Sequence, residues 1–363
     1  MAPSSSIGSI NDQPAAHLVG RDLEGGWRPV RRIDPGENKT GGNFSVGYLA
    51  ERIDDSGNAT GEVAFVKAID YSKWQLHGPD FVTSLNAMTD AFVFEREIIE
   101  KCSTHKMRNV IRGFGHGVVT VGDGPIAPVN FIVFEVAQGD VREHLDGLAA
   151  FDEAWALRVL HNIASGLNQL HGADIFHQDL KPSNVLMFPQ ATKLGDLGRA
   201  QGGALPSPHS DIHGPGDLYY SPPECWYGFT QGDALARSRA IDIYHLGSMI
   251  MFMFTRVSVT AALASHMDEQ LYPQNWAGTF DQVLPHLRDG FDQVALDLES
   301  QLPDWLKTGL VELVRQLCDP DPRLRGRSKM SVGSAVRMSV EYYVSRLDFL
   351  SRKAEVELRK ALS

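Results

Sequence analysis

The hydrophobic period changes once along the chain, and that change divides it. Between Trp27 and Ala137, apolar residues fall in short runs of strand length, at 27–33, 44–53, 62–69, 110–121 and 130–136. One helical pattern interrupts them, at 81–102. From Asp152 onward the spacing is helical, at 155–171, 240–254, 302–317 and from Ser328 to the end. Strands grouped first and helices grouped later predict an α+β chain. At 363 residues there is enough chain for two packed bodies. Residues 1–25 are rich in Ser, Pro, Gly, Asn and Asp, with no sustained apolar period, and are expected to be disordered.

One stretch in the helical half carries chemistry. His177-Gln178-Asp179-Leu180-Lys181-Pro182-Ser183-Asn184 is followed, twelve residues after Asn184, by Asp196-Leu197-Gly198. Phosphoryl transfer from Mg-ATP asks little covalent chemistry of a protein. It needs a carboxylate to orient and deprotonate a hydroxyl, a cation near the transferring phosphate, and oxygen ligands for Mg²⁺. Asp179, Lys181, Asn184 and Asp196 can supply that set. The stretch resembles the catalytic loop and metal-binding segment of eukaryotic-type (Hanks-type) serine/threonine protein kinases, H-R-D-L-x-x-x-N followed by D-F-G. Alone, an Asp-Lys-Asn trio would suit a surface turn; further segments in the family's order argue for more.

The resemblance implies a bilobal α+β kinase domain over 26–335, with a small β-rich N-lobe (26–137), a larger helical C-lobe (138–335) and a nucleotide between them. Thr40-Gly41-Gly42-Asn43-Phe44-Ser45-Val46-Gly47-Tyr48 stands where the family has its glycine-rich hairpin. Only Gly42 fits G-x-G-x-x-G-x-V, because Thr40 and Ser45 replace glycines and Gly47 replaces the Val over the adenine. By resemblance, Gly42, Asn43, Phe44, Ser45 and Gly47 line the nucleotide. The segment ending Ala64-Phe65-Val66-Lys67 resembles the V-A-I-K strand, whose Lys reaches the α and β phosphates.

Phe65 departs from the small residue usual there. Side chains two apart on a strand share a face, so Phe65 and Lys67 point the same way. The departures at Phe65 and Gly47 read as one exchange, the ring filling from the third strand the volume that Gly47 leaves open on the second. Lys67 needs a helix carboxylate. Phe94-Glu95-Arg96-Glu97-Ile98 resembles F-x-R-E-I, which names Glu97. Helical spacing favours Glu95, whose neighbours at −3, +3, +4 and +7 are Phe92, Ile98, Ile99 and Cys102; those of Glu97 are Phe94, Glu100, Lys101 and Thr104. At 131–137 the chain resembles the last sheet strand and the inter-lobe hinge. That implies adenine contacts from the backbone of Glu135 and Ala137, with Leu186 beneath the ring.

Further along, Asp217-Leu218-Tyr219-Tyr220-Ser221-Pro222-Pro223-Glu224 resembles the end of the family's activation segment, and Asp242 the residue that holds the catalytic-loop backbone. Arg325, in Asp321-Pro322-Arg323-Leu324-Arg325, resembles the late Arg that pairs with Glu224. These segments separate protein kinases from small-molecule kinases. Gln178 replaces the Arg of H-R-D, the mark of a non-RD kinase. Asp217 replaces a hydroxyl residue, and its carboxylate would attract Lys181 and repel Asp179. Val340, Tyr343, Leu347, Leu350, Ala354, Leu358 and Leu362 give 336–363 an amphipathic helical pattern, suited to packing on the lobe or to self-association.

A net charge of −11 argues against a nucleic-acid partner. Cys102, Cys225 and Cys318 show no paired spacing, which fits a reducing compartment. The N-terminus lacks a signal-peptide pattern, and the apolar stretch 246–255 is too short to span a bilayer. A cytoplasmic protein with no membrane partner is therefore expected. Lys181, two positions after Asp179, resembles the Ser/Thr class. The expected activity is transfer of the ATP γ-phosphate to Ser or Thr of a protein, with ATP and Mg²⁺ as cofactors. The alternatives are a nucleotide-binding pseudokinase scaffold, suggested by the glycine loop, Phe65 and Asp217, and a small-molecule kinase.

Overall fold

The computed structural model describes residues 13–33, 45–76, 80–202, 207–208, 217–230, 232–327 and 338–361. The chain divides into two compact units, Met1–Lys106 with Ile111–Gly139, and Met107–Val110 with Asp140–Ser363.

The first unit is built on an antiparallel sheet of β1 (Trp27–Ile33), β2 (Ser45–Ile53), β3 (Ala59–Ile69), β4 (Gly113–Thr120) and β5 (Pro128–Phe134), in the order β1-β2-β3-β5-β4. The period of two sorts its side chains. Val46, Tyr48 and Ala50 on β2, Ala64, Val66 and Ala68 on β3, and Val129, Phe131 and Val133 on β5 share one buried core. Ala15, Leu18, Leu23 and Trp27 complete that core, and the Tyr48 hydroxyl donates to the carbonyl of Ala15. Residues 13–25 are therefore folded, contrary to the disorder expected over 1–25. A few apolar residues suffice when a sheet face offers them a core, even where no local period announces it. Residues 1–12 lie outside the described residues.

The opposite face of β2 and β3 carries Ser45, Gly47, Phe65 and Lys67, all half-buried. Helix α1 (Phe81–Thr104) starts at Asp80, whose carboxylate accepts from the Thr83 N–H at 2.9 Å. Its buried row includes Met88, Phe92, Glu95, Ile99 and Cys102, spaced three or four apart, with Ile98 beside it. The strand expected from Val110 begins at Gly113 instead. Val110 belongs to the second unit, where it bridges to Leu194.

The second unit is mainly helical: α2 (Val141–Asp146), α3 (Glu153–His171), α4 (Pro223–Trp226), α5 (Ala234–Thr255), α6 (Val259–Ser265), α7 (Phe280–Gln301), α8 (Asp304–Leu317) and α9 (Val340–Ala361). Its short strands pair as β6 (Ile175–Phe176) with β9 (Gln201–Gly202), and β7 (Val185–Phe188) with β8 (Ala191–Leu194). Helix α5 is the central element, buried on every side from Asp242 to Met253. Among the described residues, no single helix is long and apolar enough to cross a membrane.

Helix α7 was not anticipated from sequence. Its buried Phe280, Val283, Leu284, Leu287, Phe291, Val294 and Leu298 do follow helical spacing, diluted by the acidic residues between them. On α9, the stripe Val340, Tyr343, Leu347, Leu350 and Ala354 is buried, and the helix packs against α3 and α8. Glu355 accepts from Arg158 at 2.7 Å, and Lys353 Nζ donates to the Trp305 carbonyl at 3.0 Å. The face considered for self-association is thus covered by the chain's own helices. Leu358 is exposed, and Leu362 lies outside the described residues.

Candidate active site

In the first unit, Lys67 Nζ donates to both carboxylate oxygens of Glu95, at 2.7 and 2.8 Å. Glu95 is 5% exposed, which suits a charge met by a partner. Glu97, the alternative, is half-buried and lies 3.2 Å from Arg96 Nη2. Helical period, and not the local motif, identifies the partner, because the period reports which face of α1 is buried. Phe65 does lie over Gly47: an ideal Cβ at 47 would sit 2.9 Å from Phe65 Cε2 and 3.1 Å from Cζ. Gly47 stands opposite Lys67 in the ladder, so ring and ammonium share this surface. Phe134 on β5 adds a second ring, 6.5 Å from that of Phe65.

Ser45 opens β2, and Gly42, Asn43 and Phe44 lie outside the described residues. The N–H of Glu135 donates to the Arg112 carbonyl at 3.1 Å, and its carboxylate accepts from the Arg112 N–H at 2.8 Å. Ala137 is half-buried.

In the second unit, the catalytic-type loop is held from below by Asp242 on α5. Its carboxylate accepts from the N–H groups of His177 and Gln178, both at 2.8 Å, and from the His171 ring, also at 2.8 Å. Burial would raise the Asp242 pKa. The hydrogen bond and charge of His171, with the Gln178 N–H, outweigh it and hold the carboxyl below its ordinary value. Gln178 adopts φ 63°, a left-handed backbone conformation that costs a non-glycine residue free energy and persists only where the surroundings hold it. Its side-chain amide donates to the Ser238 carbonyl at 2.8 Å and to Asp242 at 3.0 Å, so it is turned into the unit's interior. His177 Nε2 bonds the Gly195 carbonyl at 3.0 Å, linking the loop to the residue before Asp196.

The loop brings together the groups expected to act. Asn184 Nδ2 donates to the carbonyl and to Oδ2 of Asp179, at 2.7 and 3.1 Å, and Lys181 Nζ lies 3.2 Å from the same Oδ2. Burial raises the Asp179 pKa, Lys181 opposes the rise, and Asp196 adds to it. A carboxylate shifted this way is a better proton acceptor once ionised. Asp196, half-buried, also has a left-handed backbone, φ 54°. Leu186 on β7 packs where a Cβ at Gly195 would fall, 2.7 Å from its Cδ1.

An Mg²⁺ ion suits this set. With Asn184 Nδ2 committed to Asp179, its amide oxygen remains as a neutral hard ligand, and Asp196 supplies a carboxylate. No group of three or more His, Cys, Asp or Glu placed to hold a metal occurs among the described residues. A cation here would complete its shell with phosphate oxygens and water.

Arg325 pairs with Glu224 through two parallel bonds of 2.6 and 2.8 Å, wholly buried, and also donates to the Ala240 carbonyl at 3.1 Å. Lys181 Nζ lies 3.8 Å from Asp217 Oδ2. The loop-supporting roles of His171 and Ser238 were missed from sequence. Each sits in an ordinary helical pattern, and no local signal marks it.

Residues 75–334 match the protein kinase domain family. The chain belongs to the protein kinase family. The match begins beyond Lys67 and includes Glu95. This protein kinase is 32% identical over 212 residues to cyclin-dependent kinase 1 of Encephalitozoon cuniculi (strain GB-M1), covering 55% of this chain and 69% of that protein. It is 27% identical over 227 residues to the serine/threonine-protein kinase/endoribonuclease IRE1 of Oryza sativa subsp. japonica, and 27% over 207 residues to IRE1b of Arabidopsis thaliana. Those alignments span 22% and 21% of the plant proteins' lengths.

Proposed function

We propose that this protein kinase transfers the γ-phosphate of ATP to Ser or Thr hydroxyls of a protein substrate, with Asp179 as the base. The observation that carries the reading is the Asp179–Lys181–Asn184 cluster, with distances of 3.1 and 3.2 Å converging on Asp179 Oδ2. The substrate hydroxyl gives its proton to Asp179 as its oxygen bonds to the γ-phosphorus, and the bond from that phosphorus to the ADP oxygen breaks. Lys181 offsets charge on the transferring group. Lys67, oriented by Glu95, holds the α and β phosphates, and Mg²⁺ at Asn184 and Asp196 would neutralise the phosphate oxygens. Glu135, Ala137 and Leu186 serve the adenine. The inward-turned Gln178 amide supports a non-RD enzyme, and three unpaired cysteines fit a cytoplasmic location.

The test uses purified protein, labelled ATP, Mg²⁺ and a generic basic protein substrate. Asp179→Asn should lower transfer by about 10² to 10⁴-fold with nucleotide binding retained. Equal turnover by mutant and wild type would remove Asp179 from the mechanism. Binding without transfer by the wild type would favour a pseudokinase scaffold.

A further inference from the structure

Lys181 is shared by two carboxylates. Its ammonium lies 3.2 Å from Asp179 Oδ2 and 3.8 Å from Asp217 Oδ2. Asp217 is itself held in place. Its Oδ1 accepts the Tyr219 N–H at 3.0 Å, and its carbonyl accepts the N–H groups of Tyr220 and Ser221, both at 2.9 Å. One oxygen of Asp217 therefore pins the turn at 217–221, and the other faces Lys181.

A neutral residue here could pin the turn with one acceptor and add no charge. Asp217 adds a full negative charge beside a lysine that already neutralises Asp179. Lys181 is only 21% exposed, so water screens this second attraction incompletely.

We propose that Asp217 is a positioning residue that draws Lys181 towards the turn and away from the transferring phosphate, setting kcat below what the loop would otherwise support. The proposal rests on the reading of Lys181 as the cation beside that phosphate. A charge held by two carboxylates has less to offer a third anion. The restraint acts on a group engaged at phosphate transfer and not on the adenine side, so it should appear in kcat and leave the KM for ATP nearly unchanged.

The informative variant is Asp217→Asn, which keeps an oxygen for the Tyr219 N–H and removes the charge. Expected is a rise in kcat of roughly three- to tenfold, the range for a partly screened pair, with KM for ATP within about twofold. Asp217→Glu, which keeps the charge, should show no such gain. The same Asp217→Asn change made in a Lys181→Met background should alter nothing, because Asp217 acts through Lys181. A kcat that is unchanged or lower in Asp217→Asn, while the wild type is active, overturns the proposal and leaves the kinase reading standing. An equal gain in the Lys181→Met background also overturns it. If neither wild type nor Asp217→Asn transfers phosphate, although both bind ATP and Mg²⁺, the kinase reading fails and this proposal with it.

Discussion

The contact between Phe65 and Gly47 yields a prediction whose sign is open to experiment. The ring lies half-buried on the surface that carries Lys67, with Cε2 and Cζ at 2.9 and 3.1 Å from where a Cβ at 47 would stand. Truncating a fully buried Phe to Ala costs about 3 to 5 kcal/mol. For a half-buried ring that also faces the nucleotide, we expect about 2 kcal/mol, which is roughly 30-fold in the Kd for ATP. Gly47→Val alone would force its side chain into the ring and should weaken binding by about 1 to 3 kcal/mol through overpacking. The double variant should bind better than the sum of the two losses predicts, because valine then fills the space the ring has left. Calorimetric titration of all four proteins with ATP and Mg²⁺ closes the cycle. Tighter binding by Phe65→Ala would show that the ring blocks the pocket and refute the exchange. Additive losses in the double variant would show that the two positions are independent.

Further outcomes follow from other contacts. Glu95→Gln removes the carboxylate charge that Lys67 meets at 2.7 and 2.8 Å and should lower transfer on the order of 10- to 100-fold, whereas Glu97→Gln should stay within about twofold; a larger loss at Glu97, measured as kcat/KM, would contradict the observed pairing. His245 is wholly buried, its Nδ1 meets no hydrogen-bond partner among the described residues, and burial lowers its pKa to about 4. Between the unfolded value of about 6.5 and that value, the unfolded chain binds a proton that the folded one does not, so stability falls with falling pH, by about 2 kcal/mol from pH 6.5 to 5. Urea unfolding of His245→Gln should show a correspondingly smaller loss between those pH values, and an identical loss would exclude His245 as the cause. Because Gln178 is bonded to Ser238 and Asp242, activity should not need a phosphate on the activation segment. Ser207, which is buried, and Ser210, outside the described residues, are candidate autophosphorylation sites. Loss of activity on phosphatase treatment, restored by rephosphorylation, would refute that expectation.

Local pattern was enough for the five strands of the first unit and for α1, α3, α5, α8 and α9, because a period of two or 3.6 is written in neighbouring residues and needs no distant partner; the short strands β6–β9 and the helices α2, α4, α6 and α7 were not read from it. It also identified Glu95, since burial along one helix face is a periodic property. The Arg325–Glu224 pair and the grip of Asp242 on the loop were legible only through resemblance to a family, because their partners are 101 and 64 or 65 residues apart in sequence. Other features had no sequence signal. Ala15, Leu18 and Leu23 look like scattered apolar residues until the sheet face they cover is in place. Whether the stripe on α9 would pack on its own lobe or serve self-association was open in the sequence. An amphipathic pattern states that a face will be buried, and only the assembled chain decides against what. The contacts of His171 and Ser238 likewise depend on distances across the folded unit, whereas the attraction of Asp217 for Lys181 was legible from the departure at position 217, and the fold supplied only its distance of 3.8 Å. Side-chain type sets what a group can do, and tertiary structure alone sets which groups lie within the 3 to 4 Å at which they act on one another.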